Sequence, residues 1–315
     1  MVKKTLYFGN PAYLSLRNAQ MVLRLPQVEK NDTVSTNFKK EAERTFAIED
    51  LGVIILDDKR ITVTQGLLEC LAENNCAVIT CDSTHHPAGL LLPMEGNTLL
   101  SERCQQQVNC SKPLRKQLWQ QTVQAKIVNQ AANLGRLVHV ENRNMLAWAG
   151  QVRSDDADNL EARAAAYYWK NIFPEFPKFV RGRFEEPPNN LLNYGYAILR
   201  AVVARSLVAT GLLPSLGIHH HNKYNAYCLA DDIMEPYRPL VDAIVRGMIT
   251  TFEVIDDLTI EMKRDLLSLP TIDVLIDGQT RPLMTAVDQT TSSLYKCFAG
   301  LSKRLVYPEL LKGPR

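Results

Sequence analysis

Hydrophobic and polar positions follow two different periods along this chain, and the change falls near residue 100. Before it, β-branched and aromatic runs alternate with turn residues. Lys4-Thr5-Leu6-Tyr7-Phe8 ends at Gly9-Asn10-Pro11, and Met21-Val22-Leu23-Arg24-Leu25 ends at Pro26. Val53-Ile54-Ile55-Leu56 stops at Asp57-Asp58, and Ile61-Thr62-Val63-Thr64 follows. Short runs bounded in this way predict strands. Gln65 to Asn74 predicts a short helix leading into the apolar strand Ala77-Val78-Ile79-Thr80, and Pro87 to Pro93 predicts one more strand.

Beyond residue 100 the spacing becomes helical. Trp119, Val123, Ile127, Ala131 and Leu134 recur every three or four positions, as one buried helix face requires. Leu192, Tyr196, Leu199, Val203 and Leu207 do the same until Gly211 and Pro214, and Val241, Ile244, Val245, Met248 and Phe252 mark a third helix. The expected fold is α+β: a small β-rich domain over residues 1–97, then a larger all-α domain over residues 98–310. No internal repeat interrupts this plan, and Lys312-Gly313-Pro314-Arg315 reads as a frayed tail.

Composition narrows the function classes only slightly. With 46% hydrophobic and 22% charged residues in a chain of 315, a soluble globular protein with a sizeable core is expected. A net charge of +2 means that any nucleic-acid surface must come from local clustering of cations. Neither a secretory signal nor an apolar run of membrane-spanning length is visible, and the expected location is the cytoplasm. Seven scattered cysteines contain no Cys-x-x-Cys pair, which argues for reduced thiols over a zinc ribbon.

The densest chemistry lies between Gly217 and Pro239. Gly217-Ile218-His219-His220-His221-Asn222 precedes Leu229-Ala230-Asp231-Asp232-Ile233-Met234-Glu235-Pro236-Tyr237-Arg238-Pro239. Imidazole nitrogen with carboxylate oxygen can hold a divalent cation beside phosphate. On a helix, Asp232 and Glu235 share a face. His220 stands fifteen residues before Glu235, roughly 22 Å along one straight helix, so a shared metal requires the His loop to fold back. From the residues alone, Asp232-x-x-Glu235 also fits a helix capping box with Pro236 in the first turn, and a His run in a loop is commonly solvated. Upstream, Glu161 opens the stretch Ala162-Arg163-Ala164-Ala165-Ala166-Tyr167-Tyr168-Trp169, with Asp155 or Asp156 placed to cap a helix. Taken alone, Glu161 reads as an exposed helix residue.

Together, Gly217-x-x-His220, the Leu229–Pro239 block, the Glu161 helix and Asn193-Tyr194-Gly195-Tyr196-Ala197-Ile198-Leu199 resemble the CRISPR adaptation integrases. These are metal-dependent DNA enzymes that insert new spacers into CRISPR arrays. The matches run from Glu161 to Asp242 and look most like those of type II systems. The resemblance implies a metal set of Glu161, His220 and Glu235, with Asp232 as a further catalytic residue that orients water or metal. Its Gly-x-x-His register selects His220 from the three histidines. Two carboxylates with one imidazole favour Mg²⁺ or Mn²⁺ over structural zinc.

The implied reaction is attack by a 3′-hydroxyl of captured DNA on a phosphodiester of the CRISPR repeat, with cleavage when water replaces the hydroxyl. The implied partners are double-stranded DNA, as protospacer and repeat, a second copy of the chain joined through the N-terminal domain, and a small ferredoxin-like CRISPR adaptation protein. Lys178, Arg181 and Arg183, with Lys223 and Arg238, are the candidate DNA-binding cations, against the plainer reading of a solvated loop balanced by Glu185 and Glu186. Outside this family, a stand-alone repair nuclease, a helical DNA-binding scaffold without catalysis and a zinc hydrolase remain open.

Overall fold

A computed structural model describes residues 3–31, 33, 35–182 and 185–310. The chain divides into two compact units, Met1–Gly96 and Asn97–Arg315. Arg183 and the last five residues lie outside the described part.

The first unit holds β1 (Lys4–Phe8), β2 (Tyr13–Arg17), β3 (Gln20–Arg24), the short α1 (Pro26–Glu29) and α2 (Thr36–Glu41), and β4 (Arg44–Ala47). It continues with β5 (Leu51–Leu56), β6 (Thr62–Val63), α3 (Gln65–Glu73), β7 (Ala77–Cys81) and β8 (Pro87–Leu91). One sheet runs β1-β5-β7-β8 and the other β4-β3-β2-β6. β5 pairs in parallel with both β1 and β7, in the register Thr5↔Val53 and Val53↔Ala77. A parallel strand between two others is covered on both faces, which is why Leu51-Gly52-Val53-Ile54-Ile55 is apolar throughout and buried. Leu14, Met21, Ile54, Leu67 and Leu71 close the core between sheets and α3. The β2–β3 hairpin escapes the sequence reading because its turn is Asn18-Ala19, both at positive φ (51° and 56°), where glycine is the usual signal.

The second unit is built from α4 (Leu100–Val108), α5 (Lys112–Leu137), α6 (Arg143–Gln151), α7 (Leu160–Ile172), α8 (Asn189–Ala209), α9 (Cys228–Met234) and α10 (Arg238–Thr251). α11 (Ile260–Leu267) and α12 (Leu283–Phe298) complete its helices. One departure from the all-α expectation is a small sheet of β9 (Asp273–Ile276), β10 (Gln279–Pro282) and β11 (Pro308–Glu309), ordered β10-β9-β11. Its hairpin turns at Asp277-Gly278, both at positive φ, a strong two-residue hairpin signal that the helical reading passed over.

α5 is the axis of this unit. Ser111 caps it by accepting from the Leu114 N–H, and Trp119, Val123, Ile127, Ala131 and Leu134 are buried as their spacing requires. A second buried row on the same helix is polar: Thr122, Lys126, Asn129 and Asn133. α8 packs closely on α10 because residue 195 is glycine, where a Cβ would stand 2.4 Å from Val241 Cγ1. All seven cysteines are free thiols. Among the described residues, no helix is long and apolar enough to cross a membrane.

Candidate active site

The buried polar row of α5 organises the site. Asn129 donates to the carbonyls of Pro236 (2.8 Å) and Pro308 (3.0 Å), and Asn133 donates to the Pro239 carbonyl at 2.7 Å. These bonds hold the stretch that follows α9, where a single 3₁₀ turn, Glu235–Tyr237, joins α9 to α10. Pro236 and Pro239 have no N–H to lose at such a junction. Glu235 is thereby fixed against α5 with its side chain only 6% exposed.

Asp232, on α9, is completely buried and does not form a capping box with Glu235. Its Oδ2 accepts from the N–H groups of Ile218 (2.7 Å) and His219 (3.0 Å), and its Oδ1 from the N–H of His220 (3.2 Å). The same Oδ1 lies 2.5 Å from His220 Nδ1. The His loop therefore folds back on the carboxylate-bearing helix, as the metal reading required. Gly217 makes the fold possible, since a Cβ there would meet the His220 carbonyl oxygen at 2.4 Å and Asp232 Oδ2 at 2.8 Å. The three imidazoles have different surroundings. His219 stacks on buried Trp119 with centroids 4.1 Å apart, His220 is held by Asp232, and His221 is exposed.

Glu161 arrives from the first turn of α7. Asp156 caps that turn, its two oxygens accepting from the N–H groups of Leu160 and Glu161 at 2.9 Å each. Of the two aspartates proposed as caps, Asp156 performs the task. Glu161 Oε1 then lies 2.6 Å from Lys126 Nζ, and Glu235 Oε2 lies 2.6 Å from the same nitrogen. The contact to Glu161 has hydrogen-bond geometry, while Glu235 Oε2 makes only the ion pair. One cation position is shared by two carboxylates from separate elements. The sequence reading missed Lys126. Its signal was the row Thr122, Lys126, Asn129, Asn133, which places polar residues at helical spacing on a buried face.

The local charges are strongly coupled. Burial by itself would push the Glu235 carboxyl up, but the Arg238 guanidinium and the Lys126 ammonium hold it down at about 2. Arg238 Nη1 donates to Glu235 Oε1 at 2.7 Å, and its guanidinium covers the Tyr196 ring at 4.3 Å. The hydrogen bond to Asp232 raises the His220 imidazole above its ordinary value against the opposing effect of burial. With Nδ1 occupied by Asp232, Nε2 is the ring nitrogen left for another partner.

The donor set fits a hard divalent cation: carboxylates of Glu161 and Glu235 on one cation position and the Nε2 of an oriented imidazole. Among the described residues, no three His, Cys, Asp or Glu side chains already converge closely enough to form a complete metal cluster. Lys126 Nζ stands between the Glu161 and Glu235 carboxylates.

The candidate DNA cations separate into two groups. Lys178 and Lys223 are exposed, Lys223 lying 4.8 Å from the Tyr224 ring. Arg181 is engaged within the fold, its guanidinium donating to Asn189 Oδ1 and Asn193 Oδ1 at 2.8 Å each. Arg238 is likewise committed to Glu235 and Tyr196. Both arginines brace the fold from within, Arg181 through α8 and Arg238 through the Glu235 turn, whereas Lys178 and Lys223 stand exposed. Arg183 lies outside the described residues.

Comparison with known proteins identifies relatives of the whole chain. The sequence pattern of the family described as CRISPR associated protein Cas1 matches residues 27–269. The CRISPR-associated endonuclease Cas1 of Neisseria meningitidis serogroup C (strain 8013) is 35% identical over 99% of this chain and 97% of its own. Among solved structures, a casposase bound to integration product has a TM-score of 0.75 at 20% identity, covering 99% of this chain and 94% of that one. A chain of a Cas6-RT-Cas1–Cas2 complex has a TM-score of 0.71 at 20% identity, covering 96% of this chain and 35% of that one.

Proposed function

The chain belongs to the Cas1 family of CRISPR-associated proteins, and on that premise we propose that Glu161, His220 and Glu235 hold the divalent cation of a DNA strand-transfer site. The protein is a DNA endonuclease and integrase of CRISPR adaptation. It joins the 3′-hydroxyl ends of captured DNA to the CRISPR repeat by transesterification. The observation that carries the assignment of the site is the single cation position between Glu161 and Glu235, each carboxylate 2.6 Å from Lys126 Nζ.

A bound Mg²⁺ or Mn²⁺ supplies Lewis acidity toward the phosphodiester and lowers the pKa of the attacking hydroxyl. The remaining work falls to the protein's own residues. Asp232 fixes the His220 ring so that Nε2 faces outward from the Asp232 contact. Arg238 keeps Glu235 ionised and holds one of its oxygens in place. Asp156 rigidifies the start of α7 and so the reach of Glu161. Preorganised charge of this kind favours the developing negative charge of phosphoryl transfer without reorganisation during the reaction. Asp232 is thus a positioning residue for His220.

The DNA path that this reading needs is drawn along the exposed cations Lys178 and Lys223, with Arg183 as a further candidate. The working assembly is a homodimer through residues 1–97, joined by a small ferredoxin-like CRISPR adaptation protein and acting on double-stranded DNA in the cytoplasm. A chain of similar fold stands in a complex with Cas2 and another on an integration product, which supports partners of these kinds. The direct test is strand transfer of a short duplex into a supercoiled plasmid carrying the neighbouring repeat, with Mg²⁺ or Mn²⁺. Joined product that disappears on chelation is expected. Metal-dependent cutting with no joined product under any partner condition would reduce the reading to a nuclease.

A further inference from the structure

We propose that Lys126 is a resident counter-cation: in the metal-free protein its ammonium occupies the position between Glu161 and Glu235 that the divalent ion takes, and ion binding displaces it. This rests on the assignment of those two carboxylates as metal ligands. Both lie 2.6 Å from Lys126 Nζ, and the Lys126 side chain is only 11% exposed. Without a cation there, two carboxylates would face each other in poorly solvated surroundings, which is costly.

The charges explain why the ammonium must leave. Glu161 and Glu235 are balanced by Lys126 and Arg238, so the four groups are neutral together. A divalent ion added with both cations in place would leave an uncompensated double positive charge at short range. Arg238 is the poorer candidate for removal, since it keeps Glu235 Oε1 at 2.7 Å and lies over Tyr196. The Lys126 ammonium instead holds the carboxylate oxygens that the incoming ion needs. The neighbouring residues Val123 and Ile127 are wholly buried, so α5 stays fixed while the four-carbon lysine stem changes rotamer. A flexible stem carrying a point charge suits a displaceable occupant better than a rigid guanidinium would. Resting charge balance and readiness for metal are then properties of one side chain.

Two measurements on the full chain test this. Calorimetric titration with Mn²⁺ alone, without DNA, compares wild type, Lys126→Met and Glu161→Gln. Mass-spectrometric mapping of lysine acetylation on wild type, with and without saturating Mn²⁺, needs no variant to fold. The account expects Lys126→Met to bind Mn²⁺ at least tenfold more tightly, and acetylation of Lys126 to rise several-fold with Mn²⁺ while Lys178 is unchanged. Equal or weaker Mn²⁺ binding by a folded Lys126→Met protein overturns the proposal, as does continued protection of Lys126 in the Mn²⁺-saturated wild type. If Glu161→Gln binds Mn²⁺ as well as wild type, or wild type does not bind it, the metal-site assignment itself fails and takes this proposal with it. Loss of binding in Glu161→Gln without gain in Lys126→Met rejects the role of Lys126 alone.

Discussion

Nδ1 of His220 lies 2.5 Å from Oδ1 of Asp232, a carboxylate with no exposed surface that also collects three consecutive backbone N–H groups. This one side chain closes the His loop, sets the imidazole tautomer and connects the loop to the helix that leads to Glu235.

Asp232→Asn should therefore disturb more than a simple loss of charge. An amide nitrogen would have to face N–H donors, and buried hydrogen bonds to a carboxylate would be lost. A cost of roughly 3 kcal/mol in stability is expected. Strand transfer should fall by at least a hundredfold, because His220 loses its fixed orientation. Urea unfolding and a joining assay on the folded fraction check both parts. A variant as stable and active as wild type would mean that the loop is held elsewhere.

A second buried carboxylate gives the protein a pH-dependent stability. Asp242 accepts hydrogen bonds from Tyr168, at 2.9 Å, and from Tyr196, yet burial pushes its carboxyl up to about 6. A raised folded-state value means that the native protein binds this proton more tightly than the unfolded chain does. Its contribution is complete below the ordinary carboxylate range and is lost as pH rises through about 6. Asp242→Asn should accordingly gain up to about 3 kcal/mol on wild type between pH 4 and pH 7. Denaturant unfolding across that range reads the difference, and parallel stability profiles for the two proteins would contradict it.

How far the site was legible depended on whether its geometry was local. The buried stripe from Trp119 to Leu134 and the strand Val53–Leu56 follow from periodicity, and the structure has them. The return of the His loop onto α9 was legible only as a condition, since helix rise forbids a shared metal for His220 and Glu235 on one straight helix. Asp232 was harder, since Asp-x-x-Glu fits both a cap and a ligand pair, and only the tertiary fold brings the N–H groups of residues 218–220 to it. Lys126 was harder still. A lone lysine beside an apolar stripe ordinarily reaches toward water, and its carboxylate partners lie on α7 and on the turn after α9, which no spacing along α5 can indicate. The Asp277-Gly278 hairpin, by contrast, was readable and was outweighed by the helical pattern around it.

The two groups of cations predict different phenotypes. Lys178 and Lys223 are exposed, and replacing both with alanine should lower the salt slope of DNA binding by about 2, through lost counterion release. Arg181→Ala removes internal bonds to Asn189 and Asn193 and should cost about 2 kcal/mol of stability with little change in that slope. Fluorescence anisotropy at several salt concentrations, beside thermal unfolding, separates the two. An unchanged slope in the double lysine variant would put the DNA path elsewhere.

Assembly is the next expectation. The N-terminal sheets end in β1, β8, β4 and β6, and edge strands carry backbone groups ready to pair unless they are covered. Light scattering at micromolar concentration should give a homodimer, with interchain cross-links mapping before Pro93. A strict monomer that still performs paired integration would defeat this arrangement.

The central claim is that Glu161, His220 and Glu235 act as one metal-holding set, and strand transfer by single variants measures it most directly. Glu161→Gln, His220→Ala and Glu235→Gln, each verified as folded, should lose joining by a factor of a thousand or more in Mg²⁺ or Mn²⁺. Their double combinations should lose little beyond the singles, as expected of residues that work as a unit. Full activity in either glutamate variant, or loss confined to His219→Ala or His221→Ala with His220→Ala still active, would contradict the account.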